Sequence, residues 1–240
     1  MVVVPPARRH RWTVTPRQAI ALQKRLSVRL KLCAGPRSPR LIAGADVAYD
    51  KRTQLCFAAV VVMRAPAMEM VEYATAVRRT SFPYVPGLLT FREGPVLLDA
   101  FAQLSHRPDV ILFDGQGIAH PRRFGLASHI GYLLDIPSVG CAKSLLIGEF
   151  AKLGRRAGSV SWLTHQGERV GAAVRTQAGV RPIFVSPGCR VRFRDAIQLA
   201  LSTATRFRLP EPTRLADILV EKLKRDHLSA AAARATLPSR

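Results

Sequence analysis

A chain of 240 residues, 48% of them hydrophobic, is long enough to close one substantial α/β core, and no linker divides it. Against 16 Asp+Glu stand 37 Lys+Arg, a formal net charge of +21 with a pI of about 11.4, so the expected partner is a polyanion, first of all nucleic acid. A membrane surface is the competing partner, but no apolar run approaches the ~20 residues of a spanning helix and no basic helix carries an aromatic face; Cys33, Cys56, Cys141 and Cys189 form no Cys-x-x-Cys pair, so neither a disulfide framework nor a zinc site is indicated.

Met1 to Pro6 is apolar but too short for a signal-peptide core, so a cytoplasmic address is expected. Residues 1–11 read as a flexible basic arm, 12–228 as one domain and 229–240 as a frayed tail. Thr15-Pro16 has the form of a helix cap and first position, followed by Ala19, Ile20, Leu22, Leu26 and Leu30 at helical spacing. The other face carries Arg17, Lys24, Arg25, Arg29 and Lys31, either a solvated surface or one that tracks phosphates.

Leu41 to Asp50, Leu55 to Met63 and Met68 to Ala76 read as three strands with short turns, an antiparallel meander. Asp46 falls inside the first strand among small and apolar neighbours, where an unpartnered carboxylate is costly; it should be paired, protonated or metal-bound. Arg78 to Gly87 is a loop, because two prolines and a glycine crowd its end. A helical pattern starts at Leu88, carries Glu93 in its first turns and should bend at Gly94-Pro95.

Asp109 to Phe113 reads as a buried parallel strand ending on Asp114 and a Gly115-Gln116-Gly117 turn, a place where α/β folds put chemistry. Pro121 can open a helix bearing Phe124, Leu126, Ile130 and Leu133 and stopping near Asp135. His129, inside that helix, reads as a satisfied structural histidine. Ile136 to Cys141 is the next strand, with Lys143 just past its end. Arg169 to Thr176 and Arg181 to Ser186 form a hairpin, Val191 to Thr205 is helical, and Thr213 caps a last helix to about Arg225 that carries Asp217.

A meander, helix, strand, helix, strand and later helices resemble the layout of ribonuclease H-like nucleases, an α/β fold whose mixed central sheet is flanked by helices. Their two-metal chemistry needs acids that meet from separate elements, and Asp46, Glu93, Asp114 and Asp217 fall on the four expected places. Mg²⁺ accepts hard oxygen ligands and keeps waters, so a few carboxylates and a substrate phosphate suffice; Mn²⁺ is the expected substitute. Tyr84 between prolines is a stiff aromatic suited to stacking where a base has left its helix, and glycines at 87, 115 and 125 would let backbone groups approach a purine edge.

The segments Ile42 to Asp50, Phe82 to Glu93, Asp114 to His129, Gly140 to Ser144 and Arg208 to Asp217 together resemble endonuclease V, over roughly residues 12 to 223. The resemblance implies Mg²⁺-dependent nicking of strands containing deaminated bases, chiefly hypoxanthine. The cut is implied one nucleotide beyond the lesion on its 3′ side, leaving 3′-hydroxyl and 5′-phosphate ends. It implies Asp46, Glu93 and Asp114 as metal acids, with Asp217 where members carry Asp or His, His120 near metal and phosphate, and Lys143 at the cleaved phosphate. Pro83, Tyr84, Val85 and Pro86 match a loop that wedges into the duplex; Gly87, Leu89, Gly115, Gly125 and Leu146 match the pocket for the displaced base. The expected partner is DNA, with inosine-containing RNA, hybrid or junction substrates as the alternative, and the expected state is a monomer. A basic nucleic-acid-binding protein without chemistry would explain the charge but not four acids so placed.

Overall fold

The computed structural model describes residues 4–235. Helix α1 (Pro16–Ser27) is followed by strands β1 (Leu41–Asp50), β2 (Leu55–Arg64) and β3 (Glu69–Arg79), paired antiparallel as the meander requires. Then come α2 (Leu89–Phe101), β4 (Val110–Phe113), α3 (Leu126–Leu134) and β5 (Ser138–Ala142), with β1, β4 and β5 mutually parallel. β6 (Glu149–Phe150), β7 (Val160–His165), β8 (Glu168–Val174) and β9 (Ile183–Cys189) extend the sheet antiparallel, and α4 (Phe193–Thr203) and α5 (Glu211–Ala235) close the chain. The strand order is β3-β2-β1-β4-β5-β9-β8-β7-β6, the mixed, ribonuclease H-like arrangement expected from the element order. Among the described residues no helix is long and apolar enough to cross a membrane.

Alternation along β1 decides which layer each residue serves. Ala43 and Ala45 join Val96 and Leu97 of α2 and Ile130 of α3 in one core. Ile42 faces the other core, and Ala48 packs on Val220 of α5. Asp46 is in phase with Ile42 and Ala48, so it projects to the α5 side. Gly44 shares that phase, and there the backbone at Pro212 and Thr213 rests directly on β1: a methyl at position 44 would overlap the Pro212 backbone. Absence of a side chain at one strand residue therefore seats the start of α5, and with it Asp217, over the strand that carries Asp46.

Several expectations are corrected. The helix proposed to open at Pro121 begins at Leu126, because the chain before it is committed to turns: Ile118 N–H donates to Pro187 O (2.8 Å), Arg123 N–H donates to His120 O (2.8 Å), and Arg123 has φ +55°. The helix expected from Leu88 starts at Leu89 and continues past Pro95 to Phe101. Thr213 does not cap the last helix; it lies in the first turn, where its hydroxyl donates to Pro210 O (2.8 Å) and Arg214 N–H donates to the same oxygen (3.0 Å). That helix continues through Ala235, past the expected end at Arg225; residues 236–240 of the expected frayed tail lie outside the described residues. β6 and β7 were not foreseen.

The basic arm is packed rather than free over its described part. Val4 is fully buried, Arg8 N–H donates to Leu133 O (2.9 Å), and the Arg8 guanidinium reaches Tyr132 O (2.7 Å) and Asp135 (3.0 Å). His10 and His129 share a hydrogen bond between their Nε2 atoms (2.7 Å), with Trp12 stacked on His129. His129 is completely buried, but the satisfied contacts expected of it are made at Nε2 alone: its Nδ1 has no hydrogen-bond partner among the described residues, and burial holds the ring well below the usual histidine pKa.

The close seat of α5 on β1 gives a direct test. Gly44→Ala should destabilise the protein by about 1–3 kcal/mol through overpacking against backbone that cannot repack, seen as a Tm lowered by several degrees. An unchanged Tm would mean that α5 does not approach β1 this closely.

Candidate active site

Strand register brings the first two acids together. Ala45 of β1 pairs with Phe113 of β4, and Asp114 N–H donates to Ala45 O (3.2 Å), so the residues that follow, Asp46 and Asp114, emerge side by side. Gly140 of β5 pairs with Phe113 in turn, which puts Lys143 just beyond the same rim. Asp217 arrives from α5. Carboxylate oxygens of Asp46, Asp114 and Asp217 all lie within 4.8 Å of one another, a hard-oxygen set of the kind a divalent cation such as Mg²⁺ takes. Lys143 Nζ lies against the group, 2.6 Å from Asp114 Oδ2 and 2.9 Å from Asp217 Oδ1.

Three acids in one place repel, and burial makes their charged forms costlier still. Burial, then the charge of Asp114, raises Asp46 far above the ordinary carboxylate range. Asp114 is raised as well, by burial first, with the Lys143 hydrogen bond and charge pulling the other way. For Lys143, burial favours the neutral amine, but the hydrogen bonds and charges of Asp114 and Asp217 outweigh it and keep the ammonium charged. Glu93 is pushed up to about 8 by burial and then by Asp46. It stands outside the three-acid group for a structural reason: α2 packs on the opposite face of the sheet from the one to which Asp46 projects.

Above the acids lies a cavity of about 420 Å³. Asp46, Glu93, Asp114, His120 and Lys143 line it, together with Tyr84, Val85, Pro86, Gly87, Leu89, Gly115, Gly125 and Leu146. Two of the candidate residues do not: Pro83 is exposed on the loop outside, and Asp217 joins through Lys143. Tyr84 is 70% exposed beside the opening, where Leu89 and Leu146 are also partly bare. Helix α2 begins at this wall without a side-chain cap; Phe91 N–H donates to Leu88 O (3.0 Å), and the amides of Leu89 and Thr90 are left for a ligand or water.

His120 does not present a ring nitrogen to the acids. Arg122 N–H donates to its Nδ1 (3.2 Å), so Nε2 carries the proton and donates to Gly87 O (2.9 Å). Burial lowers its pKa to about 4, which keeps this neutral tautomer near pH 7. The same Gly87 oxygen accepts from Arg122 Nη2 (2.6 Å) and from Gln23 Nε2 (3.0 Å), while Gln23 Oε1 accepts from Arg122 Nε (2.5 Å). Three donors thus clasp one carbonyl at the end of the Tyr84 loop. Gly87 itself has φ +77°, and a methyl there would sit 2.6 Å from Arg122 Nη2. Sequence reasoning missed Gln23 and Arg122; the signal was a glutamine beside Ala19, Leu22 and Leu26 on the buried face of α1. It also missed Gln116, whose Nε2 donates to Ser144 O (3.0 Å) and ties the Asp114 turn to the segment after Lys143.

Two outcomes are expected. Gln23→Ala leaves Arg122 Nε without its buried acceptor and should cost about 1–3 kcal/mol, with faster proteolysis at the Tyr84 loop; an unaltered cleavage pattern would deny the clasp its role. Glu93 ionises near 4.5 in the unfolded chain and about 8 in the fold, so between those values folding opposes ionisation and stability falls as pH rises. Glu93→Gln should therefore gain stability over the unaltered protein from pH 5 to 8 in chelator, by on the order of a few kcal/mol; melting curves that stay parallel across that range would contradict it.

Comparison with known proteins agrees with the geometry. The family model for Endonuclease V matches residues 23–218. An Endonuclease V of Roseiflexus castenholzii is 46% identical over 217 residues, covering 90% of this chain and 97% of its own. The crystal structure of Endonuclease V from Streptomyces avermitilis superposes with a TM-score of 0.87 at 42% identity, covering 90% and 96% of the two chains. That of Ciona intestinalis, crystallised with a 23mer DNA containing an inosine, superposes with a TM-score of 0.74 at 27% identity, covering 89% and 99%. The chain belongs to the Endonuclease V family and is an endonuclease.

Proposed function

We propose that the protein nicks DNA strands containing deaminated bases, chiefly hypoxanthine, at the phosphodiester one nucleotide beyond the lesion on its 3′ side, using Mg²⁺ and leaving 3′-hydroxyl and 5′-phosphate ends. The observation that carries this reading is the convergence of Asp46, Asp114 and Asp217 within 4.8 Å under a cavity large enough for a purine. The inosine-containing DNA bound by the Ciona relative supports the choice of base.

Asp46 and Asp114 would hold the cation with Asp217, and Glu93 would act from the far wall of the cavity. When bound, the cation supplies electrostatic stabilisation to the phosphoryl oxygens and eases deprotonation of water. Lys143, kept charged by its two carboxylates, lies where it can turn its ammonium to the scissile phosphate and offset the charge that builds there. Tyr84, braced by Pro83 and Pro86, fills the gap left by an extruded base, and its stacking offsets part of the few kcal/mol that extrusion costs.

Base choice follows from what the pocket walls have left to offer. The Gly87 carbonyl is already saturated by three donors. The uncapped amides at the start of α2, where Leu89 and Thr90 line the cavity, remain as donors. Donors suit the O6 and N7 acceptors of hypoxanthine, whereas adenine presents an amino donor in place of O6 and would leave a buried mismatch. Gly115, Gly125 and Leu146 shape the rest of the pocket.

A duplex with one deoxyinosine should be nicked in Mg²⁺ and left whole in chelator, with Asp46→Asn and Asp114→Asn each losing at least about 10³-fold and Lys143→Ala about 10²–10³-fold in kcat. Parallel substrates with uracil, an undamaged duplex and inosine in RNA measure selectivity. Equal cutting of the undamaged duplex, or Mg²⁺-dependent cutting that survives Asp46→Asn, would overturn the reading.

A further inference from the structure

The positive charge of this chain is not spread evenly. Residues 1–45 contain ten Lys and Arg and no Asp or Glu, nearly half of the net +21 in less than a fifth of the length. Those residues build the arm and α1, whose apolar face is turned inward through Ala19, Leu22 and Leu26. Between arm and helix run three cavities of about 320, 440 and 360 Å³. The first and second share His10, Leu22 and Arg25; the second and third share Arg8, Arg29 and Tyr132. They form one continuous trough, from Gln18 at the start of α1 to Arg190 past the end of β9.

Acids are nearly absent from it. Asp135 is the one carboxylate lining the trough, and it is occupied by Arg8 (3.0 Å) and Arg190 (3.3 Å). Arg9, Arg11, Arg25, Arg29 and Lys31 are exposed and have no ion-pair partner among the described residues. Such a row of unmatched cations repels itself and lowers its energy by meeting a polyanion.

We propose that this trough is a second nucleic-acid contact, which grips the phosphate backbone of duplex DNA away from the cavity that takes the damaged base. The claim rests on the reading of DNA as substrate. Chemistry narrows the occupant. Single strands are usually held by exposed aromatic rings on which bases stack, but of the rings lining the trough Tyr132 is buried and already covered by Arg8, and His10 is packed on Trp12 and bonded to His129. A bilayer would need apolar side chains to insert, and the apolar stripe of α1 faces the core. Phosphates of a duplex require only the cations. Position fits as well: on the inner face of the same helix, Gln23 holds the Gly87 carbonyl of the Tyr84 loop, so the trough backs directly onto the element that would open the duplex.

The test is binding of the full chain to an undamaged duplex in chelator, read by fluorescence anisotropy across a salt series, so that it does not depend on nicking. The triple variant Arg25→Gln, Arg29→Gln, Lys31→Gln should flatten the slope of log affinity against log salt by roughly 2–3, at ~0.9 per phosphate contact removed, and weaken binding about 10–100-fold near 0.1 M salt. Arg9→Gln with Arg11→Gln, on the opposite bank, should flatten it by roughly 1–2 and serves should the triple variant fail to fold. An unchanged slope in either folded variant overturns the proposal. So does a loss confined to single strands or to vesicles of anionic lipid.

Discussion

The register between β1 and β4 is the constraint on which the rest depends. Pairing Ala45 with Phe113 sets Asp46 beside Asp114, two carboxylates that burial and mutual repulsion make expensive together. A slip of one residue would turn Asp46 to the opposite face of the sheet and bury it against α2. Everything around the pair serves to make it tolerable or to use it. Gly44 lets α5 rest on the strand and bring Asp217, and Lys143 extends an ammonium from the end of β5 between two of the acids. The acids are thus partly neutralised by a group that is itself suited to meet a phosphate.

A second constraint is the clasp on the Gly87 carbonyl. The Tyr84 loop walls the cavity above the acids, yet from Thr80 to Gly87 it has no strand or helix to hold it. Its fixed point comes from side chains: His120, Arg122 and Gln23 converge on one oxygen. Since Gln23 belongs to α1, the same helix that carries exposed cations outward steadies the loop inward. On the reading proposed above, binding and opening of a duplex would both be built on this one helix.

Much of this was legible in the sequence, for identifiable reasons. The limits expected for β1 match the structure because an apolar run ends there at a basic turn, Lys51-Arg52, and the Asp114 turn is legible because an apolar run stops abruptly at a charge. Asp46, Glu93, Asp114, His120 and Lys143 do line one cavity: Asp114, His120 and Lys143 follow the ends of β4 and β5, while strand register and helix packing bring Asp46 from within β1 and Glu93 from the early turns of α2 to the same rim. What failed to show were features set by contacts distant along the chain. No local pattern tells that Ile118 bonds to β9 and residues 118–123 to one another, which delays α3, or that the arm packs on α3 through His10 and His129. β7 was missed although its pattern, Val160 to His165, ends in the left-handed Gln166-Gly167 pair that makes its hairpin with β8. The clasp on Gly87 was hidden for the same reason: its donors come from two stretches, Gln23 and the His120–Arg122 turn, each far from Gly87 along the chain.

The central claim is that Asp46, Asp114 and Asp217 together hold a divalent cation. Crystals of the protein soaked in Mn²⁺ test it most directly, through the anomalous signal of the ion. A peak about 2.1 Å from carboxylate oxygens of Asp46 and Asp114, with the Lys143 ammonium moved aside, is the predicted result. A peak away from all three acids, or none at saturating Mn²⁺, would contradict the account.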